Sequence, residues 1–150
     1  MKRVLIVSPN HHCQAHIALG YLNFFAANLA QGVSFVPLTS CQSEVVQVMH
    51  EDNIDISRQS SGILDTVENT AAIAFDFLIT IVDDQVTTPE EPALPANHRL
   101  RYYIPGPDFY GGGIDGLREM RESVKKALLR FIGQHLIPAP SAPAEQPEYL

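Results

Sequence analysis

Cysteine is scarce in this chain: two in 150 residues, Cys13 and Cys41, which is no disulfide framework. A reducing, cytoplasmic home is the expectation. Tryptophan is absent, and charged residues make up only 18% of the sequence. Cations do not cluster into a basic surface; the densest group runs from Arg118 to Arg130. With a net charge of −7, this argues against a nucleic-acid partner. No apolar run reaches membrane-spanning length, and the first one is only a strand long, so neither a membrane span nor a signal peptide is expected. No cofactor motif is present.

What remains suits a soluble globular domain. Hydrophobic residues make up 45% of the chain, enough for one good core at this length. Residues 138–150 stand apart: Pro138, Pro140, Pro143 and Pro147 mark a tail outside the core. The expected division is a domain over 1–137 and a Pro-rich tail over 138–150.

The N-terminal stretch organises the rest. Residues 3–7 form an apolar, β-branched run suited to a strand buried on both faces. Residues 8–13 are short, polar and irregular. From Gln14, apolar residues recur at Ile17, Ala18, Tyr21, Leu22, Phe24, Phe25 and Leu29, which predicts a helix to Ala30 stopped by Gln31 and Gly32. A loop between a buried parallel strand and a helix N-terminus presents backbone N–H groups and the positive helix end to an anion.

Further along, residues 33–38 read as a strand, placed at a sheet edge by Pro37. Ser43 opens an amphipathic helix to about Asp52, and Asn53 tolerates the left-handed turn that follows. Residues 63–74 read as a helix and 76–82 as another buried strand. Residues 87–95 form an acidic, Pro-rich loop. A strand is expected near residues 100–104. Ile114, Leu117, Met120, Val124, Leu128, Phe131 and Ile132 mark a long helix to about Leu136.

Two blocks resemble the low-molecular-weight protein tyrosine phosphatases and the arsenate reductases of the same fold. The first is the loop frame: Val7, Ser8, Pro9, Asn10, His11, His12, Cys13, Gln14 and Ala15, then Ala18, Leu19 and Gly20. The second is Val45, Val46, Val48, Met49 and Glu51, then Asn53, Ile54, Asp55, Ile56 and Ser57. The resemblance implies an α/β fold of three layers: a four-stranded parallel sheet in the order 2-1-3-4 with helices on both faces.

It also implies chemistry that these residues do not carry. The family's nucleophilic Cys position holds Ser8, and its phosphate-gripping Arg position holds Gln14. A thiolate is the family's nucleophile, and a guanidinium fork grips the equatorial oxygens of phosphate. A serine hydroxyl without a base is barely ionised, and a carboxamide is neutral. The relay cysteines of thioredoxin-coupled arsenate reductases are replaced by Val82 and Thr88. The family's general acid falls on Gly106 or on Asp108, depending on whether Pro107 or the Phe109–Tyr110–Gly111 group is aligned; Phe109 and Tyr110 correspond to its pocket wall.

The reading is a catalytically degenerate domain. Its loop, Ser8, Pro9, Asn10, His11, His12, Cys13, Gln14 and Ala15, would bind phosphate, sulfate or arsenate weakly, or serve a protein partner as a regulatory module. The alternative is a divergent arsenate reductase or phosphatase acting through Cys13 or Ser8, with Asp108 as a further catalytic candidate. His11, His12, Cys13 and His16 have zinc-type donors but no metal spacing signature, so no metal is assigned. The loop histidines could instead supply positive charge in acid.

Overall fold

The two most apolar runs of the chain, at residues 4–7 and 77–82, have no polar face to offer water and take the centre of the sheet. The computed structural model describes residues 1–10, 12–34, 43–58, 74–83 and 96–137. Its strands are β1 (Lys2–Val7), β2 (Ala30–Ser34), β3 (Phe75–Val82) and β4 (Ala96–Tyr103). Its helices are α1 (His12–Phe25), α2 (Ser43–His50) and α3 (Gly113–Phe131), the last running into a π-helical turn over Ile132–Leu136. The sheet order is β2-β1-β3-β4 and every pairing is parallel, as expected. Val4, Leu5, Ile6, Ile79 and Ile81 have no exposed surface.

Two side-chain clusters follow from the alternation of β1. Val4 and Ile6, with Phe77, Ile79 and Ile81, join the core formed with α1, α2 and α3. Leu5 and Val7 join Phe75 and Leu78 in a second cluster. The helix expected over 63–74 lies outside the described residues except for Ala74, which is exposed just before β3. The loop at 87–95, the remainder of the second strand at 35–38, and the tail at 138–150 also lie outside them.

The boundary between α1 and β2 departs from expectation. α1 begins at His12 and ends at Phe25, and the chain turns through residues 27–29 with Ala30 N–H donating to the Ala26 carbonyl (3.0 Å). β2 then starts three residues earlier than the sequence pattern places it. Gly32 is therefore no helix stop. It pairs with Val4 inside the sheet, and a Cβ there would lie 2.5 Å from Leu19 Cδ1 and 2.7 Å from Leu22 Cδ2. The missing side chain lets α1 lie against this edge strand. β4 also starts earlier than expected, at Ala96. Asn53 does adopt the left-handed conformation, with φ of 62°, as the turn after α2 requires.

Charge gathers where α2 meets α3. Arg121 is nearly buried and donates through Nη1 to the Val48 carbonyl (2.8 Å) and to Glu51 Oε1 (2.7 Å). Val48 is in the last turn of α2, whose carbonyls have no partner within the helix, so Arg121 caps that end. Arg118 grips the same Glu51 at 2.9 Å and Asp115 at 2.7 Å. Hydrogen bonds from Arg118 and then Arg121 hold the Glu51 carboxyl down to about 2. Tyr21 of α1 donates its hydroxyl to Asp52 (2.6 Å), which also faces Lys125 at 3.6 Å. Burial and then that carboxylate push the Tyr21 hydroxyl up, while the bond from Tyr21 pulls Asp52 down. Among the described residues no helix is long and apolar enough to cross a membrane.

Candidate functional site

Parallel strands deliver their carboxyl ends to one edge of the sheet, and the residues that follow β1, β3 and β4 meet there. Two side chains of the loop after β1, and one from the first turn of α1, tie this edge down. Ser8, 1% exposed, accepts the Ala15 N–H on its Oγ at 3.0 Å. Asn10 accepts the N–H of Asp83, directly after β3, on its Oδ1 at 3.1 Å. Gln14 is completely buried and donates through Nε2 to the carbonyls of Ile104 (2.9 Å) and Pro105 (3.3 Å), just past β4. Two carbonyl acceptors on one atom fix that atom as the nitrogen. Among the described residues, the buried Gln14 Oε1 has no hydrogen-bond partner.

These bonds define what the loop can do. The first turn of a helix leaves backbone N–H groups without internal partners, and these are the donors an anion uses. Ser8 Oγ takes one of them, that of Ala15. Gln14 stands where the resemblance implies a guanidinium, but its neutral amide is committed to backbone carbonyls. Pro9 and Asn10 are exposed, and Cys13 is partly buried in the first turn of α1. His11 and the side chain of His12 lie outside the described residues. His16 is buried along α1 rather than placed in the loop. Among the described residues, no group of three or more His, Cys, Asp or Glu side chains could hold a metal ion.

The segment after β4 forms the opposite wall. Gly106 is buried and extended, and a short 3-10 turn over Pro107–Tyr110 follows. Asp108 and Phe109 are exposed, Phe109 at 74%. The Phe109 and Tyr110 rings meet edge to face at 5.2 Å, and the Tyr110 hydroxyl lies 2.9 Å from Ser123 Oγ on α3. The turn is bolted to the start of α3: Gly112 N–H donates to the Pro107 carbonyl (2.9 Å), and a Cβ on Gly116 would lie 2.5 Å from that same oxygen. Gly111, Gly112 and Gly113 have φ of 99°, 73° and 65°, a succession open to glycine alone at low cost. Of the two general-acid candidates, the exposed Asp108 carries a carboxyl and the buried Gly106 carries no side chain. Val82 is buried in β3 at one relay position, and Thr88, at the other, lies outside the described residues.

Ser8 and Asn10 follow β1, whereas Cys13, Gln14 and Ala15, which the sequence reading grouped with them in one loop, lie in the first turn of α1. The sequence carried no signal that Gln14 reaches Ile104 and Pro105, or that Asn10 reaches Asp83. It also passed over Arg121, which a charged position within the apolar stripe of α3 could have flagged.

No protein-family model and no curated protein sequence matches the chain. Solved structures do. An arsenate reductase in the phosphate-binding state is 26% identical, with a TM-score of 0.65, over 89% of this chain and 98% of its own. The thioredoxin-dependent arsenate reductase of Corynebacterium glutamicum is 20% identical, with a TM-score of 0.60, over 89% of this chain and 61% of its own. The low-molecular-weight protein tyrosine phosphatase of T. tengcongensis is 19% identical, with a TM-score of 0.57, over 89% of this chain and 99% of its own. The resemblance to the low-molecular-weight phosphatases and arsenate reductases therefore holds, and the fold is theirs.

Proposed function

We propose that the protein is a catalytically degenerate phosphatase/arsenate reductase-like domain, a binding or regulatory module whose loop of residues 8–15 takes phosphate, sulfate or arsenate weakly. One observation carries this reading: Gln14, at the guanidinium position, is buried and spends its amide on the Ile104 and Pro105 carbonyls. The anion is left with backbone donors and no charged fork. A lost charged contact of about 2–3 kcal/mol lowers affinity about 30- to 150-fold, which turns a tight phosphate site into a millimolar one. The phosphate-binding state of the arsenate reductase neighbour supports an oxyanion as the ligand class. A protein partner would dock on the same edge, and the reading extends to a domain over 1–137 with a separate tail.

The second reading is a divergent arsenate reductase or tyrosine phosphatase acting through Cys13 or Ser8. It is favoured by the place of Cys13 in the first turn of α1, where a helix end stabilises a thiolate.

Three measurements test the proposal. Aryl phosphate turnover by the wild type is expected at buffer background; turnover comparable to an active relative, abolished by Ser8→Ala, would establish an enzyme. Arsenate-dependent oxidation of a thioredoxin system, lost in Cys13→Ser, would establish the reductase. Titration with inorganic phosphate should move the amide resonances of residues 10–16 with millimolar saturation. Shifts that fail to saturate by tens of millimolar would reduce the domain to a scaffold.

A further inference from the structure

The opposite, amino edge of the sheet holds a cavity of about 270 Å³ lined by Arg3, Gln31, Val33 and Phe75. Arg3 and Gln31 are register partners on adjacent strands, so their side chains rise side by side from one face. Phe75 is 3% exposed and, with Val33, packs into the cluster formed by Leu5, Val7 and Leu78, which gives the cavity an apolar floor. The Arg3 backbone N–H donates to Asp76 Oδ2 at 2.8 Å. Among the described residues, neither the Arg3 guanidinium nor the Gln31 carboxamide has a hydrogen-bond or ion-pair partner. An arginine on an open convex surface is satisfied by water alone. Here a guanidinium and a carboxamide border a concave space whose other lining is apolar, the mixture that characterises small-molecule sites.

We infer that this cavity is a second ligand site, for a small monocarboxylate with an apolar body. The guanidinium fork matches a carboxylate in two parallel hydrogen bonds, and Gln31 can donate a third. Val33 and Phe75 receive the apolar part. The volume falls just under the range of drug-sized pockets, which favours a small ligand. The Asp76 carboxylate, held on the Arg3 backbone N–H, adds negative charge nearby, which weighs more heavily against a phosphate dianion than against a monoanion. The site is independent of the oxyanion loop: Arg3 and Ser8 are at opposite ends of β1, about 16 Å apart at strand rise.

The test is a titration of the full-length, ¹⁵N-labelled protein with phenylacetate at constant ionic strength. Saturable shifts are expected at the amides of Arg3, Gln31, Val33 and Phe75, with residues 10–16 unmoved. Arg3→Gln should weaken binding at least tenfold with an unchanged thermal midpoint, because the exposed side chain leaves the fold alone. Neutral phenylacetamide should bind at least tenfold more weakly than phenylacetate, and Arg3→Lys, which keeps the charge but loses the fork, should fall between wild type and Arg3→Gln. The inference is overturned if the shifts do not saturate or saturate only elsewhere. Equal affinity in Arg3→Gln, or equal binding of phenylacetamide, also overturns it. Failure of phosphate to bind the loop leaves this result unaffected.

Discussion

At the carboxyl edge, Ser8, Asn10 and Gln14 hold a loop in place with neutral hydrogen bonds to backbone groups. At the junction of α2 and α3, Glu51 receives two guanidinium groups, and Asp52 faces both a tyrosine hydroxyl and an ammonium. The first region is where the resemblance implies a charged grip on an oxyanion. A loop satisfied by neutral bonds keeps its shape with or without an anion and over a wide pH range. A helix junction built on ion pairs is sensitive to pH, and its exposed members to salt.

Acid is the strongest way to break this comparison. The folded Glu51 carboxyl ionises near 2 against an ordinary 4.5, and Asp52 is also lowered. A group depressed by folding contributes stability above its unfolded value and loses it as pH falls through the folded one. Denaturation midpoints should therefore drop between about pH 4.5 and 2, with the α2–α3 junction failing first and the amides of residues 10–16 retaining their native shifts longest. Loss of the loop before the junction would invert the comparison. At the alkaline side the sign reverses. Tyr21 is raised by burial and by Asp52, so its contribution is complete below pH 10 and is lost at higher pH as the folded group ionises.

Single substitutions sharpen the comparison in descending size. Arg121→Ala strips the cap from Val48 and leaves Glu51 with one partner; a loss of about 3 kcal/mol in urea denaturation is expected. Tyr21→Phe removes the donor to Asp52 and should cost about 1.5 kcal/mol, since Lys125 remains nearby. Gln14→Leu frees two carbonyls but also removes the unpartnered Oε1, so its net cost should be only about 1 kcal/mol. If Gln14→Leu proves costlier than Arg121→Ala, the neutral bonds of the loop contribute more stability than the ion pairs of the junction, and the contrast fails.

The amino-acid sequence by itself determined the elements whose signal is local. Apolar runs placed β1 and β3, the stripe of Leu117, Met120, Val124 and Leu128 placed α3, and Asn53 marked a left-handed turn because its own backbone adopts that conformation at little cost. That Ser8 and Gln14 stand where the resemblance implies a cysteine and an arginine is equally legible, since it concerns residue identity alone. What only the tertiary structure decided are contacts across long stretches of chain. Gln14 turns to Ile104, 90 residues away, and Arg121 to Val48, 73 residues away. Gly32 read locally as a helix stop because glycine serves both purposes; the Leu19 and Leu22 side chains pressing on it made it a strand residue. Periodicity records which face of an element is buried. It does not record which backbone carbonyl a buried amide or guanidinium will find, because that partner is supplied by whichever strand or helix packs beside it.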